Sequence, residues 1–283
     1  MTPAAQLANL LLERLEVTEK PDLRKICEAL GLRIKELPLT GAHGALVRSK
    51  SASKGIICVK ESLRLETQKR FTIAHEIGHF IIPYHKDLSN VCDARTLGRF
   101  GRGLPRPELE ANEFAAELLL PAKLVRTSFR LETPSLETIS KIATEFETGL
   151  TTAIWRFLDL TNEPCAMVWS HKGSAVWFRA SDALSVHLPL PELPAKHSIA
   201  GRLLVGDETM HVGLVDPNLW FRPQDAERID ALMEESILLP SYEAVVTLLW
   251  AKKISSAFRS DEEELLQELI PEDFSLNRQR WPR

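Results

Sequence analysis

Hydrophobic positions change period three times along this chain, and the changes predict its elements. Residues 4–16 (AAQLANLLLERLE) carry apolar side chains at helical spacing. Residues 21–30 (PDLRKICEAL) predict a second helix, with Pro21 in its first turn and Gly31 just past its end. Three runs with β-branched residues follow, Leu32–Leu39, Gly44–Arg48 and Gly55–Val59, and predict a small antiparallel sheet. The helical period then returns over 66–82, where Phe71, Ile73, Ala74, Ile77, Phe80, Ile81 and Ile82 spread over most faces, so this helix should cross a core until Pro83 ends it. Residues 84–107 are irregular, rich in Gly, Pro and Arg, and predict a long loop. A helix over 108–120 carries a stripe of Ala111, Ala115 and Leu118, with small residues suited to close packing, and stops at Pro121. Helices are expected at 121–130, 135–147 and 150–160, the last two spaced like a helix-turn-helix pair.

Beyond Thr161 the pattern turns to strands. CAMVWSH and SAVWFRA alternate across a Gly-centred hairpin (His171-Lys172-Gly173-Ser174), and HVGLVD follows later. A helix at about 224–236 and a strand at 242–250 complete a second α+β module, and the acidic-then-basic tail reads as a short helix with a frayed end.

Chemistry concentrates in the apolar helix, as His75-Glu76-Ile77-Gly78-His79. Side chains four apart on a helix stand on one face, so two imidazoles can aim at one ion. Two histidines at that spacing alone are more often satisfied core residues. The intervening Glu76 changes the reading, because one position round it sets a carboxylate beside the ion without ligating it, where a metallopeptidase keeps its general base. Gly78 costs helix stability, about 1 kcal/mol against Ala, and fits if another element must approach closely there. Zinc requires a third protein ligand and an open position. His85, six residues after His79, matches metzincin spacing, although Ile82 stands where that pattern has glycine. A carboxylate of the 108–120 helix is the other candidate. Glu108 would be the ligand with Asn112 one turn on to orient a histidine, and a modest rotation would exchange Glu108 for Glu110 or Glu113.

Composition narrows the classes. The 283 residues are 44% hydrophobic and 26% charged with a net charge of −4, an ordinary globular balance without the basic field of a nucleic-acid binder. The first residues lack a basic n-region, so no signal peptide is expected, and no apolar run is long enough to span a bilayer. Four scattered cysteines (Cys27, Cys58, Cys92, Cys165) suit reduced thiols in a cytoplasmic protein.

Taken together, T-I-A-H-E-I-G-H-F and E-L-E-A-N-E-F-A-A-E-L-L-L-P resemble the ImmA/IrrE family of metallopeptidases over roughly residues 5–160. The resemblance implies an α+β chain: a mostly helical zincin-like domain over 1–130, a helical segment like a helix-turn-helix over 131–162, and a C-terminal sensor or interaction module over 163–283, for which a GAF-like fold is one candidate. It implies His75, His79 and Glu108 as zinc ligands, Glu76 as base, and manganese as an alternative activating metal. It also implies a cytoplasmic regulatory protease that cleaves an Xre-type helix-turn-helix repressor to release DNA-damage or mobile-element genes. Tyr84, Arg95, Arg99 and Arg102 are the candidate substrate contacts. The departures from the family are the long Arg-rich loop before Glu108 and the C-terminal module. Two other classes compete. A zinc-holding sensor without turnover would need a fourth ligand such as Cys92 or His85. Direct DNA binding by the 135–160 helices or the arginine loop is opposed by the acidic balance of the chain.

Overall fold

The computed structural model describes residues 1–49, 53–86, 91–93, 104–186, 196–204, 210–240 and 243–254. They form two compact units, the first made of Met1–Glu163 with Arg179–Ala183, the second of Pro164–Phe178 with the chain from Leu184 onward. The fold is α+β, as expected. No helix among the described residues is long and apolar enough to cross a membrane. The tail beyond residue 254 lies outside the described residues.

In the first unit, helix α1 (Pro3–Arg14) is capped by Thr2 and buries Ala4, Ala8, Leu11 and Leu12 along one stripe. Helix α2 (Leu23–Ala29) starts later than the periodicity suggests. Asp22 takes the cap and accepts from the amides of Arg24 and Lys25, which leaves Pro21 ahead of the helix rather than in its first turn. Gly31 ends it with φ +70°, a backbone state that costs a glycine little.

Strands β1 (Leu32–Leu37), β2 (Ala42–Arg48), β3 (Gly55–Lys60) and β4 (Val91–Asp93) make one sheet in the order β1-β3-β2-β4. The sheet is mixed, not antiparallel as expected: β2 runs against β3 and β4, but β1 lies parallel to β3. Burial accounts for the insertion of β3 in the middle. Its Ile57 and Val59 are 0% and 1% exposed, whereas β1 leaves Glu36 and Leu37 in water, so the most apolar strand takes the place with neighbours on both sides.

Helix α3 (Glu66–Ile81) follows, and Pro83 opens a single 3-10 turn, Pro83–His85. Arg48 of β2 closes the helix end. Its guanidinium donates to the carbonyls of His79 and Phe80 and lies 5.2 Å over the Phe80 ring, a cation placed at the negative end of the helix dipole. Helix α4 (Arg106–Leu119) packs on α3. The close approach expected at Gly78 occurs here. A Cβ at that position would stand 3.1 Å from the Phe114 ring and 3.3 Å from the Ala111 backbone, so glycine lets the two helices touch. Helices α5 (Ala122–Ser128), α6 (Leu136–Glu145) and α7 (Leu150–Leu160) complete the unit. The buried Arg156 of α7 pairs with the buried Glu117 of α4 and donates to the Leu120 carbonyl at 2.7 Å. Glu117 also accepts from the Ala122 amide at 3.1 Å, so one carboxylate ties α4, α5 and α7 together.

The second unit is a five-stranded antiparallel sheet in the order β6-β5-β9-β8-β7, built from β5 (Cys165–His171), β6 (Ser174–Ala180), β7 (Met210–Val215), β8 (Ile229–Leu239) and β9 (Ala244–Ile254). The expected hairpin joins β5 and β6, with Lys172 and Gly173 at φ 48° and 82°. Short helices α8 (Ile199–Leu203) and α9 (Pro223–Ala226) accompany the sheet. The helix expected over 224–236 is mostly β8. Its Ala226, Ile229 and Met233 fit a helical face, but between β7 and β9 this segment gains a hydrogen-bonded neighbour on each side. That arrangement buries Ile229, Leu232, Glu234 and Ser236.

Candidate metal centre

Helix α3 carries His75, Glu76 and His79 on its buried side, at 0%, 0% and 7% exposure. Their reach follows from helix geometry, and the ring faces follow from what lies behind each imidazole. Asn112 of α4, itself buried, stands with Oδ1 2.9 Å from His75 Nδ1. A carboxamide oxygen only accepts, so His75 carries its proton on Nδ1 and turns a bare Nε2 the other way. Behind His79, the Nδ1 of buried His85 lies 3.0 Å from His79 Nδ1.

The two Nε2 atoms come within 3.0 Å of each other. Glu108, in the first turn of α4, sets Oε2 3.4 Å from His75 Nε2 and Oε1 3.4 Å from His79 Nε2. Ligand atoms roughly 2.1 Å from a tetrahedral ion stand about 3.4 Å apart. The three side chains therefore have the spacing of a divalent metal's ligand set, and all their donor atoms fall within 4.8 Å of one another. The chemistry of the set also fits: two imidazole nitrogens and a carboxylate oxygen converge, the donors a divalent ion such as zinc takes. Among the described residues this is the one such group of His, Cys, Asp and Glu.

Glu76 is held from the side of the sheet. A Cβ on Gly44 of β2 would stand 2.6 Å from Glu76 Oε1 and 2.5 Å from Thr72 Cγ2, so only a glycine lets the strand lie against this carboxylate. Nothing in the sequence pattern pointed to Gly44, or to Arg48.

The remaining candidates fall elsewhere. His85 is not in the converging set. Its Nε2 lies 3.1 Å from Glu110 Oε2, whose partner oxygen accepts from Arg106 Nε at 2.9 Å. Burial pushes the His85 imidazole below its ordinary value, against the pull of Glu110, so it is neutral at neutral pH. Burial would raise Glu110, but hydrogen bonds from Arg106, His85 and Tyr84 outweigh it and hold the carboxyl below the usual range. Tyr84 is 57% exposed and gives its hydroxyl to Glu110. Glu113 faces Thr2, and burial raises its carboxyl. Arg95, Arg99 and Arg102 lie outside the described residues, as does the side chain of Cys92.

Residues 27–157 match the model of the IrrE N-terminal-like domain, the Peptidase M78 family. The radiation response metalloprotease IrrE of Deinococcus radiodurans is 28% identical over 135 residues. That alignment takes in 47% of this chain and 39% of the relative, so the chain spans well under half of that protein. A solved structure described as a Mycobacterium tuberculosis transcriptional regulator aligns over 88% of this chain and 70% of its own, at 16% identity and a TM-score of 0.44, too slight a likeness to argue from. The matched segment contains α3, α4 and the whole ligand set, and over it the chain is similar to the ImmA/IrrE metallopeptidases.

Proposed function

We propose that this chain is a zinc-dependent endopeptidase of regulatory type, with manganese as an alternative activating ion. The observation that carries the reading is the convergence of His75, His79 and Glu108 beside the buried Glu76. A bound divalent ion supplies a Lewis acid that acidifies water and polarises the scissile carbonyl. His75, His79 and Glu108 would hold it. Glu76, fixed between α3 and the backbone of Gly44, takes the proton of the attacking water and delivers it to the departing amine. Burial of the carboxylate keeps bulk water from competing for that proton. The substrate class that suits a family of this kind is a helix-turn-helix repressor, cut to release stress-response or mobile-element genes. The name of the Deinococcus relative, a radiation response metalloprotease, supports the protease and stress-response parts of this reading.

The test is incubation of the full chain with the helix-turn-helix repressor encoded nearby, with zinc or manganese added, beside the Glu76→Gln variant. We expect cleavage by the wild type and a rate lower by about 10²–10⁴-fold in the variant, with metal still bound. Equal cutting by Glu76→Gln would remove the base assignment. An intact repressor in every tube would remove the substrate assignment.

A further inference from the structure

The two ligand histidines are backed differently. Behind His75 stands one neutral carboxamide, Asn112. Behind His79 stands a chain of ionisable groups, His85, Glu110 and Arg106, running from a buried ring to an exposed guanidinium. The protons of this chain can be placed by elimination. Glu110 receives Arg106 Nε–H on one oxygen at 2.9 Å, and its other oxygen faces His85 Nε2 at 3.1 Å. A carboxylate so held accepts, so the His85 proton lies on Nε2; the opposite tautomer would set two acceptors against each other. His85 Nδ1 is then a bare lone pair, 3.0 Å from His79 Nδ1. A cation can stand between the paired Nε2 atoms, but not between these two Nδ1 atoms, so one of them carries a proton; with His85 Nδ1 bare it is His79 Nδ1, which keeps Nε2 open for the ion.

We infer that His85 is a positioning residue, which with Glu110 fixes His79 in the Nδ1–H tautomer and turns its Nε2 toward the ion. The inference rests on the metal-centre reading. It gives a role to a histidine whose place in the sequence made it a candidate ligand. Metal-binding histidines commonly donate their far N–H to a carboxylate or carbonyl. Here a second imidazole is interposed, and the reach gained lets a carboxylate near the exposed start of α4 control a ring at the end of α3. It also accounts for the 3-10 turn after Pro83, which carries His85 back beneath α3 and buries it to 2% exposure.

The experiment uses the full chain, with zinc ion as the probe. Zinc affinity is measured by competition with a chromophoric chelator for wild type, His75→Ala, His85→Ala and Glu110→Ala. In the metal-stripped proteins, long-range ¹H–¹⁵N spectra report which nitrogen of His79 carries the proton. We expect one zinc per chain in wild type, none in His75→Ala, and one in His85→Ala and Glu110→Ala with affinity lowered about 10–100-fold. The stripped wild type should show His79 as the Nδ1–H form, and both variants a mixture; loss of mere packing would not move a tautomer. Glu110→Ala leaves His85 in place, so it carries the test if His85→Ala does not fold. Wild-type affinity and an unchanged His79 tautomer in Glu110→Ala would overturn the inference while leaving the metal centre standing. Complete loss of zinc in a folded His85→Ala would overturn it too, by making His85 a ligand. No zinc on the wild type would remove the metal centre itself, and the inference with it.

Discussion

The metal centre and the buried cluster around Glu234 both place ionisable groups where water does not reach, and they compensate them in opposite ways. In the second unit, Glu234 is 0% exposed. One of its oxygens accepts from the Ala200 amide at 2.6 Å and the Ser236 hydroxyl at 3.1 Å, and the other from Trp220 Nε1 at 2.8 Å. Three donors point at one acceptor. Such a carboxylate is finished by the protein, and its work is to hold the start of α8 and the turn at Pro217–Leu219 onto β8. At the metal centre the donors point outward, to Asn112 and His85, and the acceptors face one another. A divalent cation would complete that arrangement. Burial of charge is common to both regions; the direction of the donors separates a structural carboxylate from a functional one.

The contrast can be broken at several places. The largest stability effect belongs to the first unit, where Glu117 is finished in the manner of Glu234, by Arg156 and the Ala122 amide. Glu117→Ala strands a buried guanidinium and should cost about 3–5 kcal/mol in urea unfolding. A loss under 1 kcal/mol would mean that the pair is solvated. Next comes Glu234→Ala, which leaves Trp220 Nε1 and the Ala200 amide without an acceptor at about 1–3 kcal/mol each, read as a lower midpoint for the sheet unit. Its zinc affinity should match wild type; a fall would show that the two clusters are not separate in function. Smaller still is Asn112→Ala, expected to weaken zinc about 10–100-fold while the ligand set persists. Undiminished affinity would show that His75 keeps its tautomer without the carboxamide.

The parts legible in sequence are those where a short stretch decides its own geometry. The spacing of His75 and His79 fixes their common face once the helix is granted, and the same phase argument on α4 put Glu108 and Asn112 on one side and Glu110 on another. Helix α3 and the hairpin at Lys172-Gly173 are local in the same sense. What was not legible depends on distant partners. Residues 229–239 have apolar spacing that serves a helix or a strand, and only pairing with β7 and β9 decides between them. The parallel setting of β1 on β3 depends on which strand buries more surface in the finished core. At α2 an aspartate that satisfies two amides outranks the proline beside it as the start of the helix. The approach of Gly44 to Glu76 joins strand and helix across 32 residues, and His85 meets Glu110 across 25, so neither leaves a periodic trace.

Three acceptors face one another where a cation would sit, and zinc titration of Glu108→Ala beside wild type, followed by native mass spectrometry, tests that assignment most directly. Wild type should take one zinc per chain. The variant should take none at the same concentration, yet its metal-free form should unfold at the wild-type urea midpoint or above it, since a facing acceptor has been removed. A wild type that binds no zinc, or a variant that binds it undiminished, would contradict the claim that His75, His79 and Glu108 form the ligand set.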